Sequence, residues 1–423
     1  MIRMNTNRHL SIAALLALGL ALVSSGVWAE EEIGGAPGDW LSKYSSARSV
    51  GMGGAFVAAA DEPLGLIWNP ACLTQMFQNT VHLETARLFE ETSINAIGFA
   101  TPERRVLPGF GLTIISFGSG EFERTNELND VLGTFNEGET AYILSASKSV
   151  ARSVAVGASV KIIRQSIDEF QASGAGADVG ILANILPSVT VGASLLNIGG
   201  PSLTLRETAE DYPAEFRGGF AARFLSGRGV VSTEIDYRSG YETRIHAGTE
   251  FWVHPVMGLR VGYCDSYVSG GASFVLTPGM RLDYGMADQE LGMTHRVGIS
   301  YRFGGFYASS QASPPVFSPL GTQPVTKFSL TARTKADAST WSLNIVDKSN
   351  QIVRRFSGKG SPPPHIMWDG KDETGLPLAD GGYRYRLVVV DAEGRVTEGR
   401  ERIVEIMTAG PQGDVPVIVS ESN

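Results

Sequence analysis

The chain has 423 residues, enough for two ordinary domains, and its net charge of −9 with no basic stripe excludes a nucleic-acid binder. Glycine is unusually frequent at 50 residues and charged residues make up only 19%, a balance that fits a large all-β protein with many turns or a membrane barrel. Cys72 and Cys264 are the only cysteines, which excludes a zinc framework and a disulfide scaffold.

The first segment is basic (MIRMNTNRH), then apolar (SIAALLALGLALVSSG), and ends in VWA before three glutamates. This is the pattern of a secretory signal peptide over 1–29, and the apolar run is short for a spanning helix. No later run reaches about 18 apolar residues, so the mature chain is expected to be exported without a transmembrane helix. Residues 30–79 hold a Gly-rich run, SVGMGGAFVAAA, followed by DEPLGLIWNPACLT. Pro70 biases Asn69 away from helix, so the chain should turn there. Leu64, Leu66, Ile67 and Trp68 then need cover, which a barrel lumen or a bound lipid could supply.

From residue 80 to 303 short strand-like runs follow one another with no convincing helix. In AEFRGGFAARF, Phe216, Phe220 and Phe224 alternate with Arg217 and Arg223; in VVSTEIDYR, Ile235 and Tyr237 alternate with Glu234 and Asp236. A soluble sandwich alternates in the same way with its apolar face inward. A transmembrane barrel inverts the pattern, with apolar residues to lipid and polar ones to the lumen. Three features favour the barrel: strands of about 9 to 12 residues, no second packing layer, and the export signal. The spacing predicts about fourteen strands at 80–90, 94–101, 109–119, 138–149, 153–166, 175–185, 189–198, 214–226, 229–238, 244–254, 257–265, 269–277, 279–287 and 293–303. The polar insert GSGEFERTNELNDVLGTFNEGE reads as an extracellular loop. The tight connections near 186–189, 227–229 and 254–257 read as periplasmic turns or short loops.

Residues 304–326, rich in Ser, Pro and Gly, read as an extended linker. Residues 327–407 have the size and strand pattern of a small β-sandwich, and 408–423 read as a loose tail. With an even strand count both barrel ends lie in the periplasm, and so would the second domain. The fold expected is therefore all-β: an antiparallel transmembrane barrel of about fourteen strands with an N-terminal plug, plus a small C-terminal Ig-like sandwich.

Three stretches carry resemblances. The last predicted strand, RVGISYRF, has Arg296, Gly298, Tyr301 and Phe303 in an arrangement that resembles the terminal-strand signal read by the outer-membrane barrel assembly machinery. The segment 47–74 resembles the start of the PorV/PorQ family of outer-membrane proteins and, more distantly, FadL-like fourteen-stranded transporters. The matching residues are Gly51, Met52, Gly53, Gly54, Ala55, Asp61, Asn69, Pro70 and Ala71, with Trp68 beside them; Cys72 stands where the family usually has Gly. The resemblance implies that this segment packs inside the barrel as a plug or hatch. The stretch 368–395 resembles the Ig-like domain first described in the flagellar hook-capping protein FlgD, through Trp368, Asp369, Gly370, Gly375, Gly382, Tyr383 and Tyr385.

Catalytic signals are weak. GMGGAF lacks the preceding strand and the Lys-Ser/Thr of a phosphate loop, and its glycines are better explained by close backbone packing in a crowded lumen. The histidines form no ligand pair and no Gly-x-Ser-x-Gly elbow occurs. Asp369, Asp372 and Glu373 lack EF-hand spacing and read as a solvated turn. No enzyme, cofactor or metal is expected. Glu234, Asp236 and His246 read as a wetted lumen wall, ion-paired with Arg217, Arg223 and Arg244. Cys72 on the plug and Cys264 on the wall raise a disulfide that would pin the hatch, against two unrelated thiols. The PorV/PorQ resemblance implies a role in protein secretion of the type IX kind, with secretion proteins or cargo as partners. The alternatives are a FadL-like channel for a hydrophobic ligand gated by the plug, and an envelope scaffold acting through the Ig-like domain. In each case outer-membrane lipid and the assembly machinery are the expected surroundings.

Overall fold

The computed structural model describes residues 37–408 except 44–45, 90, 105, 152, 187, 226, 266, 278, 290 and 322–323. The expected signal peptide (1–29) and all of the expected tail but Thr408 lie outside the described residues.

Fourteen antiparallel strands close into one barrel. The first seven are β1 (Asn79–Arg87), β2 (Ser93–Thr101), β3 (Gly109–Thr125), β4 (Val131–Ala151), β5 (Val154–Ile167), β6 (Phe170–Leu186) and β7 (Val189–Ile198). A small hairpin, β8 (Ser202–Thr204) and β9 (Ala209–Asp211), interrupts the series. The barrel resumes with β10 (Glu215–Phe224), β11 (Gly229–Arg238), β12 (Arg244–His254), β13 (Met257–Cys264), β14 (Tyr267–Thr277), β15 (Met280–Gln289) and β16 (Gly292–Phe303). β16 pairs with β1 from Asn79↔Phe303 to Arg87↔His295, so no sheet edge is left open.

The alternation is that of a bilayer barrel. Leu83, Val160, Phe216, Ile235, Val261 and Val297 point outward and are exposed around the circumference, while Arg217, Glu234, Asp283 and Arg296 point inward and are buried. A soluble sandwich would cover those apolar side chains; an exposed apolar outer face is stable against lipid.

The polar insert 118–139 is not a loop. β3 and β4 continue through it as a paired hairpin, from Glu121↔Asn136 to Thr125↔Val131, closing on a turn at Asn126–Asp130. The turn is made by Asn126, whose side-chain oxygen accepts from the N–H groups of Leu128 and Asp130. A polar, charge-rich strand carries no apolar alternation, which is why periodicity missed it.

The segment 304–326 is also corrected. It contains β17 (Tyr307–Ser313) and β18 (Val316–Phe317), both built into the second domain. The remaining strands are β19 (Thr326–Arg333), β20 (Ala338–Val346), β21 (Ile352–Lys359), β22 (His365–Trp368), β23 (Gly381–Asp391), β24 (Val396–Glu398) and β25 (Arg402–Ile406). One sheet runs β17-β19-β22 and the other β18-β25-β23-β20-β21 with β24 beside β23. Between them lie Phe328, Leu343, Trp368, Leu387, Val389 and Val404, all buried. Ala308, Ser310 and Ala312 of β17 are buried too; their small size hides the alternation that a Ser/Pro-rich composition already masks.

Both barrel ends, Asn79 and Phe303, lie at the end with the short connections, and the sandwich packs there. Lys335 of the sandwich donates to Thr74 O at 2.7 Å and its ammonium lies 5.0 Å from the Phe77 ring centroid. Arg395 reaches Glu103, in the β2–β3 connection, at 3.5 Å. Burial at this junction pushes the Lys335 amine down to about 8, which the Glu103 carboxylate only partly offsets.

Candidate functional site in the barrel lumen

The described residues of 37–78 fill the lumen. The chain enters at the end away from the sandwich as a helical turn, α1 (Asp39–Lys43), then forms α2 (Ala47–Gly51) against β13, β14 and β15. Two 3₁₀ turns follow, Pro63–Ile67 and Pro70–Gln75, the second against β4, β5 and β6. Each begins with a proline at its first position, where the missing N–H costs nothing. The Asn-Pro pair is thus the start of a turn. Asn69 is extended, its side-chain oxygen accepts from Ala71 N at 2.9 Å, and its amide donates to Val57 O and Ile181 O at 3.0 and 3.1 Å. One side chain caps the turn, ties two plug segments together and fastens them to β6.

Part of the glycine content is explained by this plug. A Cβ on Gly262 of β13 would stand 1.9 Å from Gly53 N, one on Gly248 of β12 2.3 Å from Met52 O, and one on Gly285 of β15 2.4 Å from Ala47 O. On the far wall the same holds for Gly157 against Ala71 N at 2.4 Å and Gly180 against Asn69 Oδ1 at 2.0 Å. At Gly262, Gly248, Gly285 and Gly157 the plug backbone lies directly on the wall, where a side chain would stand in its place. Gly53 and Gly54 themselves have φ of +65° and +84°, in the left-handed region where a side chain is strained.

The two halves of the lumen hold the plug by different chemistry. Across β10–β16 the grip is ionic. Glu234 accepts from the N–H groups of Phe56 and Val57 at 2.7 and 2.6 Å, and Arg217 pairs with it at 2.8 Å. Arg48 of α2 reaches Glu250 at 2.8 Å and Asp61 beside it. Glu250 pairs with Arg260, Arg260 with Asp283, Asp283 with Arg281, and Arg281 returns to Glu62 of the plug at 3.1 Å. His246 contacts Gly53 O at 2.7 Å and Asp236 at 3.3 Å. Glu234, Asp236 and His246 are therefore buried under the plug, which corrects the expectation of a wetted wall. Arg244 and Arg223 also turn to the plug, to Asp39 at 3.0 Å and Gln75 at 3.0 Å.

Across β2–β5 the grip is apolar. Ala96, Ile115, Ala141 and Ile163 are register partners in one inward row across the four strands, and all are buried. Phe117, two residues beyond Ile115 on β3, has its ring centroid 6.1 Å from that of Trp40. Trp40 and Leu41 of α1, with Leu203 and Tyr212 of the β7–β10 insert, cover this side from above. Asp39, the first residue of α1, crosses to the opposite wall and pairs with Arg238 and Arg244. α1 is thus a lid over the apolar row, latched on the ionic side. The lumenal cavity lined by Trp68, Arg217, His246 and Tyr267 is only about 20 Å³.

Of the residues singled out from sequence, Gly51, Met52, Gly53, Gly54, Trp68, Asn69, Pro70 and Ala71 are buried in the plug, and Asp61 lies beside Arg48. No bond joins Cys72 and Cys264, which corrects the disulfide. Cys72 packs among plug residues near Glu62 O, whereas Cys264 packs with Val50, Tyr267 and Ala287. On β16, Arg296 and Gly298 face inward, and Tyr301 and Phe303 face outward with rings stacked 5.8 Å apart. In the sandwich, Trp368 is buried and donates to Lys371 O, while the Tyr385 hydroxyl accepts from Ala312 N. Gly370 and Gly375 have positive φ, Gly382 is the second residue of β23, and Tyr383 donates to Ala379 O. Asp369 pairs with Lys371 at the surface. The ionic cage around Arg48, Glu250, Arg260 and Asp283 was missed by sequence; its only signal was charge on inward positions.

The family model of the FlgD Ig-like domain matches residues 318–393. Among curated proteins no match to the chain is found. Among solved structures, the Ralstonia pickettii toluene transporter TbuX is similar with a TM-score of 0.47 and 16% identity, covering 62% of this chain and 99% of that one. The Pseudomonas putida toluene transporter TodX gives 0.45 and 14%, over 60% and 95% of the two chains. A Pseudomonas aeruginosa FadL homologue gives 0.45 and 10%, over 62% and 99%.

Proposed function

We propose that this chain is an outer-membrane barrel that passes apolar small molecules, with α1 as the gate and the rest of the plug as a fixed floor. The observation that supports this reading is the divided lumen. An apolar row on β2–β5 lies under Trp40 and Leu41 of α1, with Leu203 and Tyr212 beside them, while the ionic wall anchors the other side. A purely structural plug has no need of that asymmetry; an apolar ligand entering from the mouth would use the row as its surface once α1 swings away. The long β3–β4 hairpin and the β7–β10 insert are read as extracellular, and the short turns and the sandwich as periplasmic.

The secretion role implied by the PorV/PorQ resemblance is the second reading, and the docked sandwich is what favours it, as a surface offered to periplasmic partners. Uptake of a fluorescent apolar probe into vesicles carrying the purified protein separates the two. The channel reading expects uptake that rises when Asp39→Asn loosens the latch. No uptake by either form, with secreted proteins retained in the periplasm of cells lacking the protein, would replace it with the secretion reading.

A further inference from the structure

Where the sandwich meets the barrel rim, a groove of about 910 Å³ opens between the β10–β11 and β12–β13 turns and the face of β23, β24 and β25. It is lined by five arginines, Arg228, Arg384, Arg386, Arg400 and Arg402, and by two acids, Glu398 and Glu401. Arg386 pairs with Glu398 at 2.8 Å and Arg384 with Glu401 at 3.3 Å. Those pairs leave a positive surplus on Arg228, Arg400 and Arg402, to which His254 adds a further nitrogen face. Arg228 is held in place, donating to Trp252 O at 3.0 Å and lying 5.5 Å from the Phe251 ring.

The groove is also apolar on one lip. Val253 continues the lipid-facing row of β12 and is 43% exposed; Ile403 of the sandwich, opposite, is 63% exposed. A basic pocket whose apolar lip is continuous with the lipid-facing surface matches an amphiphile with a phosphate at one end. Guanidinium forks bind phosphate oxygens in pairs, and the volume lies within the range of small-ligand sites.

We infer that this groove binds an anionic glycerophospholipid of the membrane leaflet on the sandwich side, the phosphate between Arg228, Arg400 and Arg402 and an acyl chain along Val253. The bound lipid fills the gap between the two domains and fixes the sandwich against the rim. This inference rests on the membrane reading of the barrel above, which has its own readout: insertion into bilayers and the heat-dependent gel mobility of a folded barrel.

The test uses the full chain in phosphatidylcholine nanodiscs doped with phosphatidylglycerol, with native mass spectrometry to count retained lipid. The wild type should retain phosphatidylglycerol, and the double variant Arg400→Gln with Arg402→Gln should retain about tenfold less, the effect of losing one or two charge-assisted contacts. Both residues lie at the groove surface, so both proteins should keep the folded-barrel mobility. Equal retention by the two overturns the proposal. So does inorganic phosphate binding as tightly as the lipid in detergent, which would make this a free-anion site, or preference for an acidic peptide. A chain that does not insert into bilayers overturns the membrane reading instead.

Discussion

Replacing Gly262 with alanine tests whether the plug is seated by backbone-to-backbone contact. The new Cβ would stand 1.9 Å from Gly53 N and 2.3 Å from the Met52 carbonyl carbon, so no rotamer change relieves the clash. To restore ordinary contact the plug must withdraw by about 1.5 Å. That distance breaks two buried hydrogen bonds, Gly53 N to Ser269 Oγ at 3.1 Å and His246 Nδ1 to Gly53 O at 2.7 Å. At about 1–3 kcal/mol for each of the two bonds broken, seating loses on the order of 2–6 kcal/mol. The barrel itself should survive, because alanine keeps the ladder hydrogen bonds of β13 and suits a strand better than glycine. Gly270→Ala on the neighbouring strand is the control, since its nearest neighbours stand at 3.6 Å. In planar bilayers, Gly262→Ala should conduct ions while wild type and Gly270→Ala stay closed, and trypsin should cut the plug of Gly262→Ala first. If the two alanine variants are equally closed and equally resistant, the glycine-seating argument is wrong.

Three further outcomes are expected. Trp40→Ala removes the lid over Ala96, Ile115, Ala141 and Ile163 and should raise binding of an apolar fluorophore to the purified barrel, whereas unchanged binding would remove the lid from the mechanism. Lys335 has a folded-state pKa below its unfolded value, so the unfolded chain holds more protons between about pH 8 and 10.5; docking should strengthen as pH rises through that window, by on the order of 3 kcal/mol. Lys335→Met should abolish this slope in the melting temperature of the sandwich, and a slope that persists would assign it elsewhere. Trp368→Ala empties a site packed by Phe317, Phe328 and Tyr383 and should cost about 3–5 kcal/mol, unfolding the sandwich while the barrel keeps its gel mobility.

Much of the architecture was legible along the chain. Arg217 beside Phe216, and Glu234 beside Ile235, report which face meets lipid, because a period of two is a local property that each strand carries by itself. Fourteen such runs predicted fourteen strands. The paired extension of β3 and β4 and the strand hidden in YASSQAS were not legible, since polar and small residues can pair without an apolar stripe. The plug was visible as glycines, an Asn-Pro and apolar residues lacking cover. Its seat was not: the partners of Gly53 and Asn69 lie more than a hundred residues away, on Gly262 and Gly180, and nothing in either stretch names the other. The same holds for the circuit from Arg48 through Glu250, Arg260 and Asp283 to Arg281 and Glu62, and for the groove that joins two domains. Local pattern determines which residues face lipid and which face inward; only closure of the barrel decides which inward residues meet, because that depends on register summed around fourteen strands.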